Sequence, residues 1–167
     1  MKLVLSNINQ LNEILDLVNV AYRGEEGWTR ETEFIAGERA TPEHIRSAIE
    51  DPHSHLLVYL ENGNIRSCIC LEQKSEKDYI GLFAVSPQLQ SKGMGKQVLS
   101  AAQEYAVREL SVKKFVMAVV SARQELISYY ERRGYERTGK TEDYPIHFAV
   151  GTPKTRGLTI EYLEKNA

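Results

Sequence analysis

Leu82-Phe83-Ala84-Val85-Ser86-Pro87-Gln88-Leu89-Gln90-Ser91-Lys92-Gly93-Met94-Gly95 runs from an apolar strand through a polar turn into a helix. The glycines at 93 and 95 let a ligand approach the backbone closely. The amides they expose sit at the positive end of the helix that follows, where a phosphate is stabilised. Lys92 and Lys96 add positive charge at the same mouth, and a pyrophosphate is the natural guest. Lysines flanking a helix start also occur simply as solvated charges, and an isolated Gly-x-Gly occurs as a plain turn.

Two phosphate-binding loops of known pattern do not fit. A Walker loop ends in Gly-Lys-Ser/Thr, whereas Gly95 is followed by Lys96-Gln97, with no hydroxyl placed for magnesium. A dinucleotide-binding turn needs a third glycine, where this chain has Val98, and a parallel strand before it. The strand before this turn instead closes an antiparallel meander: Leu56 to Glu61, a tight turn at Asn62-Gly63-Asn64, Ile65 to Gln73, then Tyr79 to Val85.

Upstream, Lys2 to Leu5 reads as a short strand. Ile8, Leu11, Leu15, Val18 and Tyr22 then recur at helical spacing behind Ser6 and Asn7 as caps. Arg23 to Ala40, with Gly24, Gly27, Gly37 and an isolated Trp28 among charges, reads as a flap. Thr41-Pro42-Glu43 starts a second helix and Asp51-Pro52 ends it. Downstream, Val98, Leu99, Ala102, Ala106 and Leu110 form one helical stripe, and Lys114 to Val120 is a β-branched strand. Gln124 to Arg133 is helical and stops at Gly134, before closing strands at Tyr135 to Gly139 and Leu158 to Leu163. The order β-α-α-β-β-β-α-β-α-β-β predicts an α/β fold, a mixed central sheet flanked by helices.

The 167 residues, 42% hydrophobic and 26% charged, exclude collagen-like, coiled-coil and disordered classes and predict one domain over residues 1–167. A formal charge of −2 gives no bulk attraction to nucleic acid or to an anionic membrane. No apolar run approaches the roughly 20 residues of a membrane helix, and MKLVLSNINQ has no extended apolar signal core, so a cytoplasmic location is expected. Cys68 and Cys70 are two apart on a strand, share a face and do not bridge, which predicts reduced structural thiols. His44, His53, His55 and His147 show no metal-ligand spacing with them, and no metal is expected.

Gln90-Ser91-Lys92-Gly93-Met94-Gly95 fits every fixed position of Gln/Arg-x-x-Gly-x-Gly/Ala, the pyrophosphate loop of the GNAT superfamily of N-acetyltransferases. The Val85-Ser86-Pro87 lead-in and the element order are also similar to that family, over essentially the whole chain. Ser128-Tyr129-Tyr130-Glu131-Arg132-Arg133-Gly134-Tyr135 resembles the family's late Tyr-Glu-x-x-Gly-aromatic helix end, with Tyr130 on its tyrosine. The chain departs from the family at Arg123, where many members carry an asparagine that bonds the pantetheine arm.

The resemblance implies an acetyl-CoA-dependent N-acetyltransferase with a single-domain GNAT-like acyltransferase fold. Its donor would be held by Phe83, Ala84, Val85, Gln90, Ser91, Lys92, Gly93, Met94, Gly95, Lys96 and Arg123. Backbone groups of the strand Phe83 to Val85 would face the pantetheine and the acetyl carbonyl. A phenol titrates near ~10 and a thiol near ~8.5, so Tyr130 suits protonation of the departing CoA sulfur. Glu72, Asp78, Tyr79, Glu25 and Glu26 are the candidates for the base. Trp28 with Glu25, Glu26 and Arg39 is placed on the acceptor side, with carboxylates that attract an ammonium, while Trp28 reads equally as an anchor of the flap on the core; Tyr144, His147 and Phe148 are expected on the opposite wall. The acceptor would be an amine of a small molecule or peptide, attacking the thioester directly. Cys68 and Cys70 lack a histidine partner in the sequence, which disfavours an acyl-enzyme. A catalytically silent CoA-binding regulatory or interaction module is the alternative; the presence of Tyr130 and of the full loop favours the enzyme. Homodimerisation stays open.

Overall fold

A computed structural model describes residues 1–28 and 31–167; Thr29 and Arg30, inside the expected flap, lie outside the described residues. A seven-stranded sheet is ordered β1-β3-β4-β5-β6-β9-β7. Its strands are β1 (Val4–Leu5), β3 (Ser54–Glu61), β4 (Asn64–Lys74), β5 (Lys77–Val85), β6 (Lys114–Val120), β7 (Glu136–Asp143) and β9 (Thr159–Asn166). Every described pairing is antiparallel except β5 with β6. The sheet is therefore mixed, as the element order predicts.

Helices α1 (Leu11–Arg23) and α2 (Pro42–Glu50) cover one face. Ile14, Val18, Ile45 and Ala48 pack there against Leu56, Val58, Cys68, Cys70 and Ala84. Helices α3 (Met94–Leu110) and α4 (Gln124–Glu131) cover the other. Val98, Leu99, Ala102, Leu126 and Ile127 pack there against Leu57, Ile69, Leu71, Ile80, Phe115 and Met117. Because β4 is buried on both faces, alternate residues enter opposite cores, and Cys68 and Cys70 share one of them as unbridged thiols. No helix among the described residues is long and apolar enough to cross a membrane.

The boundaries shift by small amounts with evident causes. The Asn7 side chain caps a single 3₁₀ turn at Ile8–Gln10, which delays α1 to Leu11. Thr41 caps α2 as its sequence predicts. The last two strands run longer than their hydrophobic patterns, because β7 pairs along β9 past an irregularity between Arg137 and Thr141 although all of β7 is exposed. A two-stranded ribbon of β2 (Ile35–Ala36) and β8 (Thr152–Pro153) ties the flap to the chain before β9, a pairing with no periodic signal in either segment.

One irregularity organises everything that follows. Leu82 sits in β5 with φ +43°, a left-handed conformation rare for a branched residue, and the β4–β5 register shifts beside it. The Cys68 thiol donates to the displaced Leu82 carbonyl at 3.2 Å. On the other side, β5 and β6 pair only from Lys77↔Lys114 to Ile80↔Met117 and then part. A wedge opens in the middle of the sheet.

Candidate active site

Two cavities meet at this wedge. The narrower, about 290 Å³, lies where β5 leads into α3; the wider, about 610 Å³, opens between the parted ends of β5 and β6. Tyr22, Phe83, Leu126 and Tyr130 line both.

The narrower cavity is walled by Val85, Gln90, Ser91, Gly93, Gly95, Lys96, Tyr129 and Trp28. Ser91 and Gly93 both adopt left-handed backbone (φ +60° and +80°), and Gly93 is the N-cap of α3 without a side-chain cap bond. Among the described residues no side chain caps the first amides of α3, which as the opening amides of a helix also lack a helical partner, the arrangement that receives an anion. Gly95 leaves room beside Tyr129: a Cβ there would lie 3.1 Å from its hydroxyl, which would have to give by a few tenths of an ångström. The Tyr129 ring is held by the Arg133 guanidinium, 3.3 Å from its centroid, and by Trp28 at 5.5 Å.

Several expected donor residues act differently from a direct ligand. The Gln90 amide donates to the Val85 carbonyl at 3.0 Å and its oxygen accepts from the Trp28 backbone N–H, so it pins the flap to β5. Ala84 is buried in the α1/α2 core, Met94 packs on the opposite core and Lys92 is exposed; none of the three lines either cavity. Arg123 is 2% exposed and also lines neither cavity. Its guanidinium is held by Glu125, lies 3.9 Å from Glu31 and donates to the Trp28 carbonyl at 3.3 Å. Arg123, named from the sequence at the pantetheine position, is thus turned toward the flap and the start of α4 rather than into either cavity.

Glu31, 6% exposed, is the hub of that arrangement. It pairs with Arg23 as well, and Arg23 reaches the carbonyls of Gly37 and Val150 and the Tyr144 hydroxyl. This chain of ion pairs joins the end of α1, the flap and the start of α4. Nothing in its sequence surroundings marks Glu31 apart from the other flap charges.

Tyr130 is 7% exposed, and burial holds its phenol well above its ordinary range, with Tyr22 and Tyr129 adding to the effect. It stays protonated. Tyr22, which its periodicity marks only as part of an apolar stripe, donates its hydroxyl to the Phe83 carbonyl at 3.0 Å and is pushed up to about 12 by burial. Burial also pushes both Cys68 and Cys70 up to about 12, so neither supplies a thiolate near neutrality.

The wider cavity gathers Glu31, Arg39, His44, Asp51, His53, Glu72, Lys74, Tyr144 and Phe148 around the apolar floor of Leu82, Phe83 and Val120. Arg39, Glu72, Tyr144 and Phe148, all named on the acceptor side from the sequence, line this cavity together. Trp28, named with them, lines only the narrower one, where its backbone N–H donates to the Gln90 side chain. Glu25 and Glu26 are exposed and line neither cavity, Tyr79 lines neither, and His147 is exposed beside Phe148. Asp78 is fully buried, its oxygens lack hydrogen-bond partners among the described residues, and it too lines neither cavity. Of the five candidate bases only Glu72 borders the wider space. Among the described residues no three His, Cys, Asp or Glu side chains form a metal-binding group.

The Acetyltransferase (GNAT) domain family matches residues 21–144. No curated protein sequence resembles the chain closely enough to count as a relative. Among solved structures, an N-acetyltransferase from Staphylococcus aureus Mu50 superposes with TM-score 0.75 at 18% identity, covering 99% of this chain and 96% of its own. A ribosomal-protein-alanine N-acetyltransferase from Brucella melitensis does so with TM-score 0.72 at 16% identity over 100% of both chains. A spermidine N-acetyltransferase variant from Vibrio cholerae gives 0.70 at 15%, covering 99% and 95%. At these identities the likeness is one of fold. With the family match spanning most of its length, the chain belongs to the GNAT acetyltransferase family, whose members transfer acyl groups from acetyl-CoA to amines.

Proposed function

We propose that the chain, as one domain, is an N-acetyltransferase moving the acetyl group of acetyl-CoA to a primary amine by direct attack in a ternary complex. The observation that carries this reading is the meeting of two cavities at Tyr130 and Phe83, where β5 and β6 part. The narrower cavity takes the donor. Its uncapped α3 amides with Ser91, Gly93, Gly95 and Lys96 receive the pyrophosphate, and the parted edge of β5 from Phe83 to Val85 faces the pantetheine and the thioester.

The wider cavity takes the amine. As the C–N bond forms and the C–S bond breaks, the departing sulfur takes the Tyr130 proton, and the amine proton leaves to water or to a cavity-lining base. The high phenol pKa keeps that proton on Tyr130 until the sulfur develops charge. The raised thiol pKa values of Cys68 and Cys70 argue against an acetyl-cysteine intermediate, which mass spectrometry after incubation with acetyl-CoA alone would detect.

The structural neighbours include a spermidine and a ribosomal-protein-alanine N-acetyltransferase, two different acceptor classes, which leaves the acceptor open. The deciding test is acetyl-CoA consumption over a panel of amines, amino acids and peptides. Consumption that depends on an amine and yields free CoA in equal amount supports the enzyme. Thermal stabilisation by CoA with no acetylation across the panel would replace it with the silent CoA-binding module.

A further inference from the structure

The charges lining the wider cavity are answered unequally. Of its three carboxylates, Glu31 is engaged by Arg23 and Arg123, Asp51 accepts from the His53 backbone N–H at 2.8 Å, and Glu72 lies 3.5 Å from the Lys74 ammonium. Arg39 is the exception. Among the described residues no carboxylate lies within ion-pair distance of its guanidinium, which rests 5.2 Å from the centre of the Tyr22 ring. That ring belongs to the tyrosine whose hydroxyl is bonded to the Phe83 carbonyl, at the junction of the two cavities.

The position is also fixed. The Asn19 side chain accepts from the backbone N–H groups of Arg39 and Ala40 at 2.9 and 3.0 Å and donates to the Ala40 carbonyl at 3.1 Å. A half-buried guanidinium loses part of its hydration, and its planar fork matches a carboxylate through two parallel hydrogen bonds. Holding its backbone in place removes part of the ordering cost of such recognition. Among the described residues each carboxylate on this wall already has an ion-pair or hydrogen-bond partner, Asp51 through a backbone N–H alone, and a polycation would meet Arg39 besides.

We propose that Arg39 binds a carboxylate of the acceptor, so that the substrate class is amines that also carry a carboxylate, such as amino acids and short peptides. This rests on the wider cavity being the acceptor's. The apolar floor of Leu82, Phe83 and Val120 with Pro145 and Phe148 beside it suits an apolar body between the two polar ends. The role differs from the sequence expectation, in which flap carboxylates attract an ammonium.

Two measurements test it on the full chain. In acetyl-CoA consumption, amino acids and dipeptides are compared with their C-terminal amides and with a polyamine. In calorimetry on CoA-saturated protein, N-acetyl-leucine and N-acetyl-alanine are compared with their amides, a readout that needs no turnover. The expected result is at least a tenfold preference for the carboxylate in both. Arg39→Gln reduces it to within about twofold while CoA affinity is retained, and Arg39→Lys keeps part of it. Equal use of acids and amides, preference for the polyamine, no binding of either acetylated series, or a preference that survives Arg39→Gln overturns the proposal. Amine acetylation without regard to a carboxylate would sink this inference alone; carboxylate-selective, Arg39-dependent binding without any acetylation would sink the enzyme reading alone.

Discussion

The two cavities are built by different means. The narrower draws most of its lining from two continuous stretches, Val85 to Lys96 and Leu126 to Arg133, and its anion site is backbone: left-handed turns at Ser91 and Gly93 and the bare start of α3. The wider collects side chains from Tyr22 to Ile160, brought together by the flap, the β2–β8 ribbon and the strand wedge. On the proposed function, a diphosphate-bearing donor would be recognised through features any short turn can encode, namely amides and absent side chains. An acceptor would be recognised through scattered side chains that only the folded chain assembles. Tyr130 belongs to both, and the Arg23–Glu31–Arg123 chain holds both walls in one arrangement.

The largest effect is expected where the cavities meet. Tyr130→Phe removes the proposed proton donor while keeping the ring in its packing against Tyr129 and Tyr135, so kcat is expected to fall by ~10²–10⁴-fold. CoA affinity, measured by calorimetry, stays near the original. Full turnover in this variant would remove the common point of the two halves. Next comes the joint itself. Glu31→Gln leaves the Arg23 guanidinium buried without its charge partner, a loss of about 3–5 kcal/mol when a buried pair is broken. Calorimetric melting should fall by roughly 10 °C. A change confined to acceptor KM would mean that Glu31 serves one cavity rather than joining two.

What was legible in the sequence divides along the same line. The turn from Gln90 to Gly95 and the helix end carrying Tyr130 are legible as elements because residue types at fixed spacing along a single strand–turn–helix or helix end mark them, and the roles proposed for them rest on those same residues. The helices and central strands were legible because each carries an unbroken apolar period, as Val98, Leu99, Ala102 and Ala106 do in α3. The wedge was not, since Leu82 looks like any strand leucine until its φ of +43° is seen. Nor was the role of Glu31, one acidic residue among several in the flap, or the inward burial of Arg123, because ion pairs between segments 8 and 92 residues apart leave no periodic trace. The isolation of Trp28 among charges gives no sign of which cavity it lines; the Gln90 side chain, accepting from its backbone N–H, sets it on the narrower one.

Asp78 tests whether the chemistry is confined to the two cavities. It sits where β5 and β6 are still paired, opposite Phe115, and burial pushes its carboxyl up to about 6 from an ordinary 3.8. A carboxyl whose folded value lies above its unfolded one favours folding when protonated. Stability from this group is therefore fully present below about pH 4 and is lost as the pH rises through about 6, a change on the order of 3 kcal/mol. Asp78→Asn should flatten that slope, with melting raised by roughly 8 °C at pH 7.5 and little changed at pH 4. Turnover at pH 7.5 should be retained; its loss would return Asp78 to the list of candidate bases and extend the active site beyond the wedge.

The smallest expected effect is the one that separates the cavities most cleanly. The Trp28 ring stands 5.5 Å from Tyr129 on the narrower side, and its backbone is bonded by Gln90, itself anchored to Val85. Removing the ring in Trp28→Ala takes away an aromatic wall worth about 1 kcal/mol, so donor KM and CoA dissociation constant should rise about fivefold. Acceptor KM should stay where it was, because no Trp28 atom lines the wider space. The backbone bond to Gln90 survives the substitution, so the flap keeps its place and the ring alone is tested. A rise in acceptor KM with the donor unaffected would reverse the assignment of the flap. A rise in both would mean that the flap moves as one body, and that the Arg23–Glu31–Arg123 chain does not by itself fix the acceptor wall.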